Sequence, residues 1–375
     1  MIEEKRLSPF TFPATGKTMP NRIALAPMTN LQSNEDGTLA DDEYNWLVSR
    51  ARENFGMVIT CAANVTKDGQ GWKGELGIYD DAQLEGLTKL AAGIKQHGSL
   101  ALVQIFHGGA RCPAQLIGTQ PWSASEHLMP HAKAPVPVRA ATTEDIHRVI
   151  HAFVASAIRA QQAGFDGVEL HGAHGYLLHQ FLSTETNKRT DEWGGSFENR
   201  TRLLRTILKK IKAVVSKDFI VGVRISPEDK YTFEGIDFDE SVELAKVLAA
   251  EGADYIDLSP WDAFKKPEKY PTGEKYLLQY FREAIPSTPI MVAGHIWNGA
   301  DAEHAIELGA DIVAIGKAAI GHANWPTLIR DKDFQPARPP YTVEHLQQQG
   351  LGPGFVEYMK RWKDFVVLPD PATSK

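Results

Sequence analysis

Eight short apolar runs recur along the chain, and a helix-like run follows each of them. The apolar runs are rich in Val, Ile and Leu and mostly lack alternation of polar and apolar residues, which is typical of parallel strands buried on both faces. They span residues 23–28, 56–63, 100–107, 167–172, 219–226, 255–260, 290–295 and 312–318. Eightfold strand–helix alternation predicts an α/β protein with a single (β/α)8 barrel over residues 1–332.

The helix-like runs carry end signals that support this interpretation. The run at 142–164 opens with Thr142 three residues before Asp145, a capping-box pattern, and it ends at Gly164. An open doubly wound sheet is the alternative, but no GxGxxG motif opens the first helix.

Two segments fall outside the alternation. Residues 108–141, after the third strand, predict a long functional excursion with a small hairpin. Residues 333–375 are rich in proline and aromatic residues and predict a tail that packs on the barrel or on a neighbouring subunit. In a homo-oligomer, Arg361 and Trp362 of this tail could reach a neighbouring active site.

Composition excludes several classes of function. The net charge of -7 argues against a nucleic-acid partner, and no run approaches the ~20 apolar residues that a membrane-spanning helix needs. The start MIEEKRLSPF has no apolar core of a secretory signal. Two cysteines make no disulfide framework, so the expected location is the cytoplasm.

The candidate site consists of the residues that end the strands, because active sites of this barrel lie at the carboxyl ends of its strands. Gln104 and Arg224 lie inside apolar runs and are expected to point into the barrel mouth. The alternative is that they are satisfied polar groups of the core, although an unpaired buried arginine is costly. The other strand-end candidates are Pro27, Met28, Thr29, Ala62, His171, His174, Gly294, Gly316 and Lys317.

The last two strands predict a phosphate site. They end at Gly294 and Gly316, where a ligand could approach the backbone, and Lys317 adds a cation. The helix N-termini that follow would add amide donors. The alternative is that both glycines only make turns.

The stretch GVELHGAHGYLLHQFL concentrates groups that could do chemistry. His171 and His174, with Glu169 on the same strand face as His171, leave a metal-dependent hydrolase open, but zinc needs three or four ligands and there is no HExxH motif. The favoured interpretation is that the two histidines donate hydrogen bonds to one substrate oxygen. Tyr176 holds its proton at neutral pH and would be a general acid. His179 is expected to be a packed histidine.

These motifs resemble those of the Old Yellow Enzyme family of flavin oxidoreductases. The resemblance covers about residues 5 to 330, and its most specific part is HGAHGYLLHQFLSTETNKRTDEWGGSFENRTRLL. The segments NRIALAPMTN, VQIFHGG around Gln104, GVRIS around Arg224 and IGKAAI around Lys317 match in order and spacing.

The resemblance implies non-covalent FMN over the barrel mouth, NADPH or NADH as hydride donor, and reduction of the C=C bond of activated alkenes such as enones by a ping-pong mechanism. It places Pro27, Met28, Thr29, Ala62, Gln104, His171 and Arg224 around the isoalloxazine, and Gly294, Gly316 and Lys317 at the phosphate. His171 and His174 would bind the carbonyl oxygen of the substrate, and Tyr176 would protonate its α-carbon.

Three positions depart from common patterns of the family. Thr29 stands where one branch has a cysteine, Leu31 where some relatives have a tyrosine, and Lys317 where arginine is frequent. An NADH oxidase-like or dienoyl-CoA-reducing flavoenzyme is the alternative within the class. Such relatives often carry extra domains and an iron–sulfur cluster, for which this chain lacks the length and the cysteines.

Overall fold

The computed structural model describes residues 5–128, 136–228 and 235–368. Eight parallel strands close a barrel in the order β5-β6-β7-β8-β1-β2-β3-β4, which confirms the predicted fold. The strands are β1 (Ile23–Leu25), β2 (Met57–Asn64), β3 (Leu100–Phe106), β4 (Gly167–Gly172), β5 (Ile220–Ile225), β6 (Tyr255–Leu258), β7 (Ile290–Val292) and β8 (Ile312–Ile315).

Several strands end earlier than the apolar runs suggest. The β8–β1 ladder ends where Ile315 pairs with Leu25, so Met28 and Lys317 lie beyond the last paired residues. Lys317, which the sequence placed in the last strand, instead begins the five-residue helix Lys317–Gly321. Because the loops after the strands surround the barrel mouth, this shift moves both side chains toward the mouth.

Seven longer helices pack outside the barrel. They are α1 (Asp41–Arg52), α2 (Leu84–Lys95), α3 (Thr143–Gln162), α4 (Phe197–Val214), α5 (Phe238–Ala250), α6 (Leu277–Ala284) and α7 (Gly299–Glu307). The predicted capping box of α3 is present, since the Thr142 side chain accepts from the Asp145 amide and the Asp145 side chain accepts from the Thr142 amide. Two short helices, Lys317–Gly321 and Trp325–Leu328, follow β8.

A hairpin closes the amino-terminal end of the barrel. Its strands Phe10–Thr11 and Thr18–Met19 pair antiparallel, and Phe12 packs with its ring centroid 5.9 Å from that of Tyr255 inside the barrel. The fully buried Phe12 contributes roughly 2 kcal/mol of apolar burial at this end. Within the described residues, this packing covers the end of the barrel opposite to the carboxyl ends of its strands.

The excursion after β3 forms a small sheet at the side of the mouth. Strand Pro137–Ala140 lies between Trp122–Ser123, to which it is parallel, and His127–Leu128, to which it is antiparallel. The helix Ala114–Ile117 precedes this sheet. The middle of the excursion, residues 129–135, lies outside the described residues.

The tail packs back on its own barrel. It contains helices Val343–Gln348 and Pro353–Met359, and Phe355 meets Trp46 of α1 edge-on at 4.9 Å between ring centroids. The buried Arg50 of α1 donates to the Gln349 carbonyl oxygen at 2.7 Å, which ties the tail to the barrel. Residues 1–4, at the start of the segment expected to lack a secretory signal, and the last tail residues, 369–375, lie outside the described ranges. Within those ranges no helix is long and apolar enough to cross a membrane.

Candidate active site

A cavity of about 650 Å³ opens at the carboxyl end of the barrel, within the volume range of small-molecule sites. Most of the residues that the sequence proposed for the site line it together. These are Pro27, Met28, Thr29, His174, Tyr176, Arg224, Gly294, Gly316 and Lys317.

Ala62, Gln104 and His171 are buried next to the cavity rather than on its wall. A register shift in β2 places Ala62 opposite Gln104 of β3. His171 pairs with Arg224 in the β4–β5 ladder, and its ring lies 5.0 Å from that of Tyr176 between centroids. His171 therefore borders the site through Arg224 and Tyr176, which both line the cavity.

The two histidines form an edge-to-face pair, with ring centroids 5.0 Å apart. Burial, helped by the positive charge of Arg224, lowers the pKa of both rings well below the ordinary value, so both are neutral at neutral pH. Each neutral imidazole has one N–H to donate. Nδ1 of His171 has no partner among the described residues, whereas Nε2 of His174 lies 2.8 Å from Ser259 Oγ.

His174 is held in an unusual backbone conformation. Its φ of 60° is in the left-handed region, and its amide donates to Ser226 Oγ at 3.2 Å. Non-glycine residues in this region are costly and cluster at functional sites. Ser226 and Ser259 follow β5 and β6, so the ends of two strands fix this imidazole.

Tyr176 lies in a cage of rings and one cation. Its ring centroid is 5.0 Å from that of Phe106, and the guanidinium carbon of Arg111 lies 4.6 Å from its centroid. Arg111 in turn donates to the His174 carbonyl oxygen. Burial raises the pKa of the Tyr176 hydroxyl, although Arg111 opposes this, so the phenol keeps its proton at neutral pH.

Gln180 fixes the loop that carries Arg111. Its Oε1 accepts from the Ala110 amide at 3.1 Å, and its Nε2 donates to the Gly175 carbonyl oxygen at 2.7 Å. The loops after β3 and β4 are thereby joined, and Arg111 is positioned over Tyr176.

A polar layer lies under the mouth, inside the barrel. Gln104 Nε2 donates to Glu169 at 2.7 Å, and the Tyr255 hydroxyl donates to the other Glu169 oxygen at 2.8 Å. Arg224 lies 3.0 Å from Asp257 and donates to Ser259 Oγ at 3.0 Å. The Gln104 amide nitrogen is thus engaged with Glu169, which leaves its carbonyl oxygen as the acceptor for a ligand.

The proposed phosphate end has mixed support. Gly294 has φ 142°, and a Cβ there would lie 2.7 Å from the Pro260 carbonyl oxygen, so only glycine fits. A Cβ at Gly316 would meet only Met28 Sδ at 3.6 Å, an ordinary contact, so close packing does not require glycine there. Lys317 Nζ lies 5.4 Å from the ring centroid of Trp261.

The helix N-termini expected at the proposed phosphate site offer fewer amide donors than predicted. The helix that begins at Lys317 has only five residues. The helix α7 begins five positions beyond Gly294, and its first turn is already capped by Asn298 and Asp301. Lys317 is thus the main positive group that the described chain offers here.

Several cavity residues were missed from the sequence. Ser226 directly follows β5, and Arg111 lies five residues beyond the end of β3, so including the loop residues after each strand would have found both. Tyr358, Met359 and Trp362 come from the tail and line the cavity of their own chain. Trp362 was named from the sequence, but as a residue that could reach a neighbouring active site rather than its own. No local pattern marks Tyr358 and Met359, because they reach the mouth only through the packing of the tail.

The metal alternative finds no support in the described part of the chain. There, no group of three or more His, Cys, Asp or Glu side chains could hold a metal ion. Beside His171 and His174 lie Tyr176, Arg224 and serines. His179 is buried in the helix Leu177–Leu182 that follows Tyr176.

The model of the NADH:flavin oxidoreductase / NADH oxidase family matches residues 7–333 of the chain. The chain belongs to the Old Yellow Enzyme family. Family membership makes it an NAD(P)H-dependent FMN oxidoreductase, with FMN as cofactor and a nicotinamide as hydride donor.

Curated relatives and solved structures agree with this membership. The chain is 38% identical over 328 residues to the probable NADH-dependent flavin oxidoreductase YqiG of Bacillus subtilis, covering 86% of this chain and 87% of that protein. It is 34% identical over 328 residues to an NADPH dehydrogenase of Bacillus licheniformis, covering 87% and 94%. An Old Yellow Enzyme homologue from Zymomonas mobilis superposes with a TM-score of 0.80 at 26% identity, covering 91% of this chain and 96% of that one.

The residues of the cavity fit FMN, the cofactor of the Old Yellow Enzyme family. The cavity has the size of a cofactor site, with Arg224 on its wall, the buried Gln104 next to that wall, and Lys317 at the other end. Gln104 offers an oxygen acceptor and Arg224 a cation, which suit the pyrimidine edge of a flavin. A lysine still supplies a positive charge to a phosphate, but it cannot form the bidentate hydrogen bonds of arginine.

Proposed function

We propose that the protein is an ene-reductase, which uses hydride from NADPH or NADH to reduce the C=C bond of activated alkenes such as α,β-unsaturated carbonyl compounds. The observation that carries the proposal is the grouping of two neutral histidines and a protonated tyrosine beside Arg224. His174 and Tyr176 line the cavity, and the buried His171 contacts both of their rings. This set can bind a carbonyl oxygen and supply a proton, which are the two tasks that alkene reduction leaves to the protein.

Bound FMN supplies the redox chemistry. Arg224 and Gln104 would hold its pyrimidine edge, with Arg224 stabilising the negative charge of the reduced form. Pro27, Met28 and Thr29 of the loop after β1 would border the isoalloxazine, together with Ala62 and His171. Gly294, Gly316 and Lys317 would receive the phosphate.

His171 and His174 would orient the substrate by donating to its carbonyl oxygen. Nδ1 of His171 is free to do so within the described structure, and His174 would exchange its contact with Ser259 for the substrate. Two donors on one oxygen draw electron density from the double bond and make the β-carbon a better hydride acceptor. Because both imidazoles are neutral, substrate binding requires no proton uptake by either ring.

Tyr176 would then deliver its hydroxyl proton to the α-carbon. Its phenol keeps that proton at neutral pH, and Arg111 over the ring stabilises the phenolate left behind. Nicotinamide and alkene would occupy the same cavity in turn, which gives a ping-pong sequence. Possible homo-oligomer formation remains a prediction of the sequence.

The test is an absorption spectrum of the purified holoenzyme under anaerobic conditions. We expect flavin bands that bleach on addition of NADPH and return when an enone such as 2-cyclohexenone is added, with formation of the saturated ketone. Bleaching that only oxygen reverses would refute alkene reduction and favour an NADH oxidase-like activity.

A further inference from the structure

The polar layer inside the barrel contains two carboxyl groups, Glu169 and Asp257, but only one described cation, Arg224. Arg224, Glu169 and Asp257 are all buried there, and the strand pairing places Arg224 next to both His171 and Asp257. The proposed function uses Arg224 and Gln104 but assigns no part to the two carboxyl groups. Buried carboxyls without a balancing cation are costly unless they are protonated.

Geometry assigns the negative charge to Asp257. Its Oδ2 lies 3.0 Å from Nε of Arg224, and the two side chains are 0% and 6% exposed. No other cation within the described ranges lies in ion-pair distance of Asp257, and no described donor hydrogen-bonds to its carboxylate oxygens. The charge of Asp257 therefore acts directly on Arg224.

Glu169 has only neutral partners. They are the Gln104 amide and the Tyr255 hydroxyl, one on each carboxyl oxygen. Burial and the nearby negative charge of Asp257 raise the pKa of Glu169, so this group is the one that keeps its proton. Burial also raises the pKa of Asp257, but Arg224 opposes that effect.

We propose that Asp257 sets the reduction potential of the bound flavin by partly neutralising Arg224. The inference rests on the proposed position of Arg224 beside the pyrimidine edge of FMN. Reduction adds negative charge at that edge, and a lone arginine would stabilise the reduced form strongly. A carboxylate 3.0 Å from the guanidinium weakens this stabilisation and keeps the reduced cofactor a stronger hydride donor.

The proposal predicts different effects for substitutions of Asp257 and Glu169, the two carboxyl groups of the polar layer. Asp257→Asn removes a negative charge with little change in volume, whereas Glu169→Gln replaces a group that is already neutral. Both variants keep hydrogen-bonding capacity at the site. A role in packing alone would make the two changes equivalent for the flavin potential.

The test is a spectroelectrochemical titration of the FMN-loaded wild type, Asp257→Asn and Glu169→Gln at pH 7. We expect Asp257→Asn to raise the affinity for reduced relative to oxidised FMN at least tenfold, which is about 30 mV for a two-electron couple. We expect Glu169→Gln to change that ratio less than threefold. If Asp257→Asn does not fold or retain FMN, Asp257→Ser removes the same charge from a smaller side chain and should shift the potential in the same direction.

An unchanged or lowered potential in the aspartate variant overturns the proposal, and so does an equal rise in the glutamate variant. The readout is independent of the proposed alkene reduction. Wild-type enzyme that fails to reduce enones refutes the proposed function but leaves the potential measurement valid. Wild-type enzyme that reduces them while Asp257→Asn keeps the wild-type potential refutes only the role of Asp257.

Discussion

Replacing Tyr176 with phenylalanine is predicted to slow the transfer to the alkene and to spare the reduction of FMN by NADPH. The change removes one hydroxyl and keeps the ring contacts with Phe106, His171 and Arg111. No hydrogen bond from a described residue to this hydroxyl is present, so the free energy of unfolding should change by about 0.5 kcal/mol or less.

The catalytic loss should be much larger. A positioned general acid contributes roughly 10²–10⁴-fold to rate. Even the lower figure, a hundredfold loss, corresponds to about 2.7 kcal/mol in the activation free energy.

Anaerobic stopped-flow spectroscopy measures each half-reaction separately through the flavin absorbance. Tyr358→Phe is the matched control, since Tyr358 also lines the cavity but lies on the tail. Equal slowing of both half-reactions in Tyr176→Phe would remove Tyr176 as the proton donor.

Three further predictions follow from the site and the tail. The double change His171→Ala and His174→Ala should weaken the binding of phenols, whose oxygen can accept from both histidines, by roughly 50-fold, because two hydrogen bonds are lost. FMN should stay bound. Titrations that follow the flavin absorbance measure both effects. Because burial lowers the pKa of both histidines below the ordinary 6.5, the unfolded chain binds more protons than the folded one below about that pH. The melting temperature should therefore fall when the pH is lowered from 7 to 5. It should fall less steeply in the variant with both histidines replaced by asparagine. An identical dependence of melting temperature on pH in the two proteins would contradict the lowered pKa of the histidines. Arg50→Ala should lower the free energy of unfolding by about 3 kcal/mol in urea titrations, because its hydrogen bonds to the carbonyl oxygens of Gln349 in the tail and Ala319 after β8 are lost. The exposed Arg52→Ala should have little effect.

The barrel could be predicted from the sequence because its strands are buried on both faces and its helices carry end signals. The limits of the strands could not, since an apolar run continues past the last ladder pair. Lys317 illustrates this difference: the run that includes it looks like one strand, yet pairing with β1 stops at Ile315.

The residues at the site were predictable where a strand points them into the mouth, as for His171 and Arg224. Asp257 was overlooked although it lies two residues before Ser259, on the same inward face of β6. Asp257 contacts Arg224 on the neighbouring strand. The alternation of inward and outward residues along a single strand does not predict such a contact between strands. Tyr358 and Met359 of the tail were not predictable, because their position depends on contacts between distant parts of the chain. Trp362 was expected at a neighbouring active site but lines the cavity of its own chain.

The tail gives the cavity a wall of separate origin. Tyr358, Met359 and Trp362 line it, yet all three lie beyond residue 333, where the family match ends. Substitutions of Tyr358 and Met359 can reshape the entrance without altering a barrel strand, whereas the ring centroid of Trp362 lies 5.7 Å from Nζ of Lys317, a group proposed to hold FMN. A library confined to Tyr358 and Met359 would therefore vary the entrance to the cavity while conserving the groups proposed to hold FMN.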